Sequence, residues 1–285
     1  MNKIQCETPS FQNTPHRLPD AISIVIPLYN EAGNIHHLVE EIIEALEQAH
    51  GCLKQYEIIL VNDGSDDNSG EIITGLEAQN KTIIAIHHAS NYGQSRAIHS
   101  GISKANFDWI VTLDGDGQYD PTDILKLVSH LQNTQQLDSK SSVVIMGQRR
   151  QRQDSHLKQL SSRLANKIRR RILNDYSYDT GCSLKLFQRQ EFLKLPYFDH
   201  IHRFLPALFQ RQGLHIISLK VNHRPRQAGT SKYGFWGRLW VGLFDLIGVY
   251  WLIKRYQIIK FKSPIPAPSK EHSHTKQTAR LKKEK

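Results

Sequence analysis

The chain has 285 residues, with 37 Lys and Arg against 27 Asp and Glu and a formal net charge of +10. That length suits one large α/β domain with appendages, and the charge favours anionic partners (nucleic acid, phosphorylated substrates or acidic lipid) without choosing among them. Cys6, Cys52 and Cys182 are odd in number, widely spaced and lack a Cys-x-x-Cys pair, which speaks against a disulfide framework or a zinc site and fits a reducing cytosol.

Residues 1–20 are polar, carry scattered prolines and lack the apolar core of a signal peptide, so a mobile leader is expected. Ile22–Leu28 reads as a mostly apolar strand, and Ile35–Gln48 has apolar residues at helical spacing. Tyr56–Val61 is the next buried strand, followed by the turn chemistry of Asn62-Asp63-Gly64-Ser65-Asp66-Asp67. A helix over Ser69–Ala78, a strand over Ile83–His87, a helix over Tyr92–Ala105 and a strand over Trp109–Leu113 come next. The alternation implies an α/β fold, a mostly parallel sheet with helices on both faces, whose ligands bind beyond the carboxyl ends of the strands.

After Pro121 a helix to about Gln132 and a polar loop are expected, then a strand over Val143–Met146. Gln148–Arg171 holds nine Lys or Arg and one acid, Asp154. Residues 179–233 mix short strands and loops. Phe235–Ile259 is aromatic and apolar but interrupted by Arg238, Asp245, Lys254 and Arg255. No run of about 18 apolar residues is present, so a spanning helix is not expected. An amphipathic helix lying in a membrane interface, with Trp236, Trp240, Tyr250 and Trp251 at the headgroup boundary, competes with a helix packed on the core. The lysine-rich tail over 261–285 is expected to be disordered.

The most informative motif is Asp114-Gly115-Asp116-Gly117-Gln118. Two carboxylates one residue apart follow a buried strand, and residues two apart on an extended chain point the same way. Like charges so close repel unless a cation lies between them. Carboxylates with an amide oxygen from Gln118 suit Mg²⁺ or Mn²⁺ with room left for substrate phosphates. The competing structural reading is an Asp-stabilised turn. Pro27-Leu28-Tyr29-Asn30-Glu31 and Asn62-Asp63-Gly64-Ser65 fall at the ends of two further strands, which points to one shared pocket. For Asn30-Glu31 the alternative is a helix cap.

Together with Asn91-Tyr92-Gly93, Asp179-Thr180-Gly181-Cys182 and Arg224-Pro225-Arg226-Gln227-Ala228-Gly229-Thr230-Ser231-Lys232, these motifs resemble the inverting family 2 glycosyltransferases of GT-A fold. Within them the likeness is to the dolichol-phosphate mannosyltransferase group and its bacterial polyprenyl-phosphate relatives. The resemblance covers roughly residues 20–255. It implies a GT-A domain over 21–234, an interfacial helix over 235–260, and transfer of one sugar from a GDP- or UDP-sugar to a polyprenyl phosphate at the cytoplasmic membrane face. It further implies Asp114, Asp116 and Gln118 on Mg²⁺ or Mn²⁺, and Pro27, Tyr29, Glu31, Asp63 and Asp114 around the nucleotide-sugar. Arg226 would sit on the donor diphosphate, Ser231 and Lys232 would help close the loop over the nucleotide-sugar, and Arg149, Ser162 and Arg163 would sit on the acceptor phosphate. The chain departs from the family in Asn62, where Asp is usual, and in Gln94, where Lys is common, with Arg96 a possible substitute cation.

Cys182 as a nucleophile is not required by this chemistry, Asp179 can position the sugar, pair with an Arg or serve a turn, and the paired histidines read as core or surface. Two other functions stand beside the leading one. A glycosyltransferase acting on a glycan or lipid hydroxyl would need a base near the acceptor, and the Gln-x-x-Arg-Trp element of processive synthases is absent. A basic nucleic-acid-binding module would fit the charge but has no use for the paired aspartates.

Overall fold

The computed structural model describes residues 20–48, 53–137, 143–149, 167–175, 179–225 and 235–256, with side chains undescribed over 135–137 and 235–241. Strands β1 (Ala21–Leu28), β2 (Gln55–Asn62), β3 (Ile83–His87) and β4 (Trp109–Thr112) alternate with helices α1 (Ala32–Glu47), α2 (Ser69–Gln79), α3 (Gln94–Lys104) and α4 (Thr122–Leu137). Strands β5 (Val143–Arg149), β6 (Lys185–Gln188) and β7 (His215–Val221) complete a seven-stranded sheet of order β3-β2-β1-β4-β6-β5-β7. All pairings are parallel except those of β6, which runs antiparallel to β4 and β5. The expected α/β class is the one observed.

The central strands are apolar at almost every position because both faces are covered. Ile22, Ile24, Ile26, Leu28, Ile58, Leu60 and Val111 pack with α1, α2 and α4 on one face. Val25, Ile59, Val61, Ile110, Val144 and Met146 pack on the other with α3 and the helices Arg189–Leu193, Leu205–Arg211 and Phe235–Arg255. The alternation of strand side chains splits one apolar run between two cores.

Several boundaries differ from expectation for identifiable reasons. α1 begins at Ala32, three residues early, because the Asp67 carboxylate accepts its first amide, at 3.2 Å. Asn30 is not its cap. It sits at φ 53°, where its Oδ1 accepts the Asp66 amide at 2.7 Å. α3 begins at Gln94 rather than Tyr92, since the Tyr92 and Gly93 amides are drawn to Asp63 and Gly93 takes φ 88°. β5 runs on to Arg149 because β7, through Val221, pairs with it along its length. The short helices between 189 and 211 had no long apolar period to reveal them. Most of the leader, the basic stretch 150–166, the loop 226–234 and the tail lie outside the described residues.

The helix Phe235–Arg255 docks by Leu246 and Val249 and turns Leu243, Phe244, Ile247, Tyr250 and Trp251 outward. Packing on the core and an exposed aromatic face therefore coexist. Asp245 makes a 3.2 Å contact with Nδ1 of His200, so it tethers the helix rather than forming a polar outer face. Among the described residues no helix is long and apolar enough to cross a membrane.

Candidate active site

The carboxyl ends of β1, β2 and β4 meet at one edge, with Leu28 paired to Asn62 and Asn62 to His87. β4 ends at Thr112, and the Leu113 amide still donates to Val25 O at 3.2 Å. The extended-chain argument for Asp114 and Asp116 does not hold, because the chain turns at Gly115-Asp116 and Gly117 lies at φ 69°. The Gln118 amide donates to Asp116 Oδ1 at 3.2 Å, an Asx turn, so the structural reading is true as well. Gly115 is required between the aspartates: a Cβ there would lie 2.2 Å from Leu28 Cδ2 and 3.3 Å from Pro27 O. The turn is thus seated directly on the Pro27-Leu28 end of β1.

Asp114 is pushed up to about 6, first by desolvation and then by the charge of Asp116, against a hydrogen bond from Ser183 and the nearby Lys185 and Arg149. The Ser183 Oγ takes the Asp114 amide at 3.0 Å, and the Gln94 side-chain amide donates to Asp114 Oδ1 at 2.7 Å. Gln94, which replaces the family's usual Lys, is therefore a carboxylate partner. The Arg96 guanidinium stacks at 3.7 Å over the Tyr197 ring.

Beneath this turn lies a polar cluster of which the sequence offered Arg149 and Asp179 singly and Lys185 not at all. Arg149, at the end of β5, clamps Asp179 through Nε and Nη2, each at 2.7 Å. Burial alone would lower that guanidinium, but Asp179 holds it raised. Of the readings open for Asp179, pairing with an Arg is the one observed. Lys185, 4% exposed on β6, donates to Cys182 O, and burial lowers its ammonium against the pull of Cys182, Asp114 and Asp179. The Cys182 thiol is raised to about 11 by burial, so it stays protonated and unsuited to nucleophilic attack.

The imidazole of His202 contacts Ser95 Oγ through Nδ1 at 2.7 Å and is driven well below its ordinary value by desolvation, then by Arg203, Lys185 and His200. The fold therefore holds it neutral, while the unfolded chain takes a proton below about pH 6.5. Stability from this group is full above that pH and falls as the pH drops, by up to about 1.4 kcal/mol per pH unit. Urea unfolding at pH 7.5, 6.5 and 5.5 should show the wild type losing more stability on acidification than His202→Asn; equal losses would refute the assignment.

At the end of β2, Asp63 is 3% exposed and fully engaged. Its Oδ1 accepts from His88 Nδ1 at 2.7 Å and from the Tyr92 amide at 3.0 Å, and its Oδ2 accepts from the Gly93 amide at 2.8 Å. Because a carboxylate only accepts, Nδ1 of His88 carries the proton, and Nε2 contacts Ser100 Oγ at 2.9 Å. Asn62, where the family usually has Asp, closes this turn, its Oδ1 accepting the Ser65 amide at 3.0 Å. Gly64 stands at φ 66°, where a Cβ would lie 2.3 Å from the Ser90 carbonyl carbon. Glu31 accepts from the Asn34 side chain at 2.6 Å, and the half-buried Tyr29 reaches Asp66 at 3.4 Å. Pro27, Tyr29, Glu31, Asp63, Asp114, Asp116 and Gln118 thus share one edge. Ser162, Arg163, Arg226 and Lys232 lie outside the described residues.

The approach to Arg226 is nonetheless fixed. Arg224 donates its amide to Gln118 O at 2.7 Å, its guanidinium reaches Glu41 at 2.7 Å and Asp120 at 3.3 Å, and Tyr119 bridges His223.

Among the described residues no group of three His, Cys, Asp or Glu is arranged to hold a metal. The donor set still fits a hard divalent ion that relies on substrate oxygens. Burial raises Asp114 and the Asp116 charge adds to it, so a cation is welcome between the two carboxylates, and Gln118 follows on the same turn.

A mostly parallel sheet with an antiparallel β6 and an aspartate pair beyond β4 is the arrangement expected of a GT-A glycosyltransferase. Residues 23–195 match the family described as glycosyl transferase family 2, and the chain belongs to it. It is 35% identical over 229 residues to the undecaprenyl-phosphate 4-deoxy-4-formamido-L-arabinose transferase of Shewanella sediminis (strain HAW-EB3), an alignment covering 80% of this chain and 66% of that protein. The chain therefore spans just under two thirds of that relative. Its fold is similar to glucosyl-3-phosphoglycerate synthase from Mycobacterium tuberculosis in complex with Mn²⁺, UDP and phosphoglyceric acid. That match has a TM-score of 0.59 and 17% identity, covering 84% of this chain and 80% of the other. The same synthase with Mg²⁺ and UDP gives a TM-score of 0.57 at 17% identity, covering 82% and 79%. At that identity the likeness establishes the GT-A fold.

Proposed function

We propose that this protein transfers a sugar from a GDP- or UDP-sugar to a polyprenyl phosphate, with inversion, at the cytoplasmic face of a membrane it touches peripherally. The observation that carries the reading is the Asp114/Asp116 pair seated on the Pro27-Leu28 end of β1, with Arg224 clamped to Gln118 beside it. The undecaprenyl-phosphate relative supports the acceptor class.

The acceptor is a phosphate, already largely ionised near neutral pH, so no side chain need remove a proton before attack on the anomeric carbon. A single displacement inverts that centre. Charge then builds on the departing nucleoside diphosphate. Asp114, Asp116 and Gln118 would hold Mg²⁺ or Mn²⁺, which when bound supplies Lewis-acid neutralisation of that diphosphate. Arg226 and Lys232, on the loop following Arg224, add fixed positive charge and close over the donor. Tyr29 stacks on the base and Glu31 accepts from base or ribose, while Asp63 shapes the pocket by holding the Tyr92 and Gly93 amides. Arg149, oriented by Asp179, faces the acceptor phosphate with Ser162 and Arg163. Residues 21–234 would form the catalytic domain and 235–260 the membrane-contacting segment, carried by the helix Phe235–Arg255, with 261–285 as a basic tail.

The test is transfer of radiolabelled sugar from GDP- and UDP-sugars to undecaprenyl phosphate, dolichyl phosphate and undecaprenol, each with and without Mn²⁺. Label should enter the organic phase only with a lipid phosphate and Mn²⁺. Equal labelling of undecaprenol, or label appearing only on a glycan hydroxyl, would replace this reading with the hydroxyl-transfer one.

A further inference from the structure

A cavity of about 370 Å³ lies away from the aspartates, between the helical turn over 167–173, the helix Leu205–Arg211 and the helix Phe235–Arg255. Its lining mixes apolar Ile172, Leu173, Ala207 and Ile253, polar Asn174 and Gln210, and the cations Arg211 and Lys254. Among the described residues, Nε and Nη1 of Arg211 are buried without a hydrogen-bond partner, while the Tyr256 ring covers its guanidinium at 4.0 Å. A buried polar group left unpaired costs roughly 1–3 kcal/mol, so an oxygen anion would relieve Arg211, while Gln210 Oε1 on the same lining, also buried without a hydrogen-bond partner among the described residues, takes a donor such as a headgroup hydroxyl.

The surroundings say where that anion comes from. Ile168 and Ile172 are 47% and 40% exposed on one side of the cavity, and Phe244, Ile247 and Trp251 are 72%, 59% and 59% exposed on the helix that forms the other. Lys167, Arg171, Lys254 and Arg255 are exposed among these two apolar ridges. Apolar and aromatic side chains interleaved with cations are what a surface needs to settle at the headgroup level of an anionic bilayer.

We propose that this cavity binds the phosphate headgroup of an anionic phospholipid, with Arg211 and Lys254 on the phosphate and the two ridges in the acyl boundary. It is a second lipid site, whose lining does not include Arg149, and it holds the catalytic edge at a fixed orientation to the membrane. It rests on the membrane-contact part of the proposed function.

The test uses the full chain and a soluble probe, dihexanoyl phosphatidylglycerol below its micellar concentration, with dihexanoyl phosphatidylcholine and inorganic phosphate as controls, read by calorimetry. Saturable binding of the phosphatidylglycerol alone is expected. It should weaken at least tenfold in Arg211→Gln/Lys254→Gln and in Ile172→Trp, which fills the cavity from an exposed position, while Mn²⁺-dependent binding of UDP or GDP is unchanged. Sedimentation with phosphatidylcholine vesicles containing phosphatidylglycerol should fall in the same variants. No binding of the probe, equal binding of inorganic phosphate, or unaltered binding in both variants would each overturn the proposal. Because the soluble lipid reports on the cavity whatever the acceptor is, its failure is distinguishable from failure of the transferase assay.

Discussion

Asp116→Ala is expected to lower turnover by ~10³-fold or more, since several kcal/mol of charge stabilisation on the leaving diphosphate is lost and each 1.36 kcal/mol is a factor of ten. Its carboxylate does two things in the folded chain: it accepts the Gln118 amide at 3.2 Å, and its charge helps push Asp114 up to about 6. Removing it relieves the repulsion, so Asp114 should titrate closer to an ordinary carboxylate and the metal-free protein should be no less stable. The diagnostic pattern is therefore loss of Mn²⁺-dependent nucleotide binding by calorimetry and loss of labelled lipid product, with an unchanged or slightly raised melting temperature. Turnover within tenfold of wild type would remove the aspartate pair from the reaction.

Asp63→Ala should have the largest effect on stability, about 3 kcal/mol, because it strands the His88 N–H and the Tyr92 amide and leaves the Gly93 amide only the Asn91 side-chain oxygen at 3.2 Å. The His88 imidazole and the Tyr92 and Gly93 amides all converge on this side chain. Gly93 leads directly into Gln94, whose amide holds Asp114. The substitution should thus loosen the start of α3 and reach the metal turn indirectly. Urea unfolding measures the first effect, and hydrogen exchange at residues 92–94 the second. If Asp63 served the nucleoside alone, donor affinity would fall while both of these readouts stayed at wild-type values.

The three strand ends were legible in the sequence because each carries its chemistry locally. An apolar run stops, and Asn30-Glu31, Asn62-Asp63-Gly64 or Asp114-Gly115-Asp116 follows at once. What surrounds them was not legible, because it depends on partners distant in the chain. Asp63 meets His88 twenty-five residues on, and Arg149 meets Asp179 thirty residues on. No spacing rule links such pairs. Lys185 looked like any lysine in a short segment, and only the antiparallel insertion of β6 beside β4, with Lys185 opposite Thr112, puts it under the aspartates. The start of α1 was misjudged for the same reason, since the residue that serves its first amide, Asp67, belongs to the next loop. The exposed face of the helix Phe235–Arg255 was half legible: its aromatic content was plain, but which residues face the core required the fold.

The bonds from Arg224 to Gln118, Asp120 and Glu41, with the Tyr119–His223 bridge, weld two segments a hundred residues apart into one mechanical part. Anyone building chimeras between this chain and a relative would have to exchange 114–120 and 223–225 together, with position 41 matched. A swap of either alone would join a foreign turn to a native strap, leave Glu41 or the Gln118 carbonyl without its mate, and misalign the edge even though every side chain drawn into it was correct.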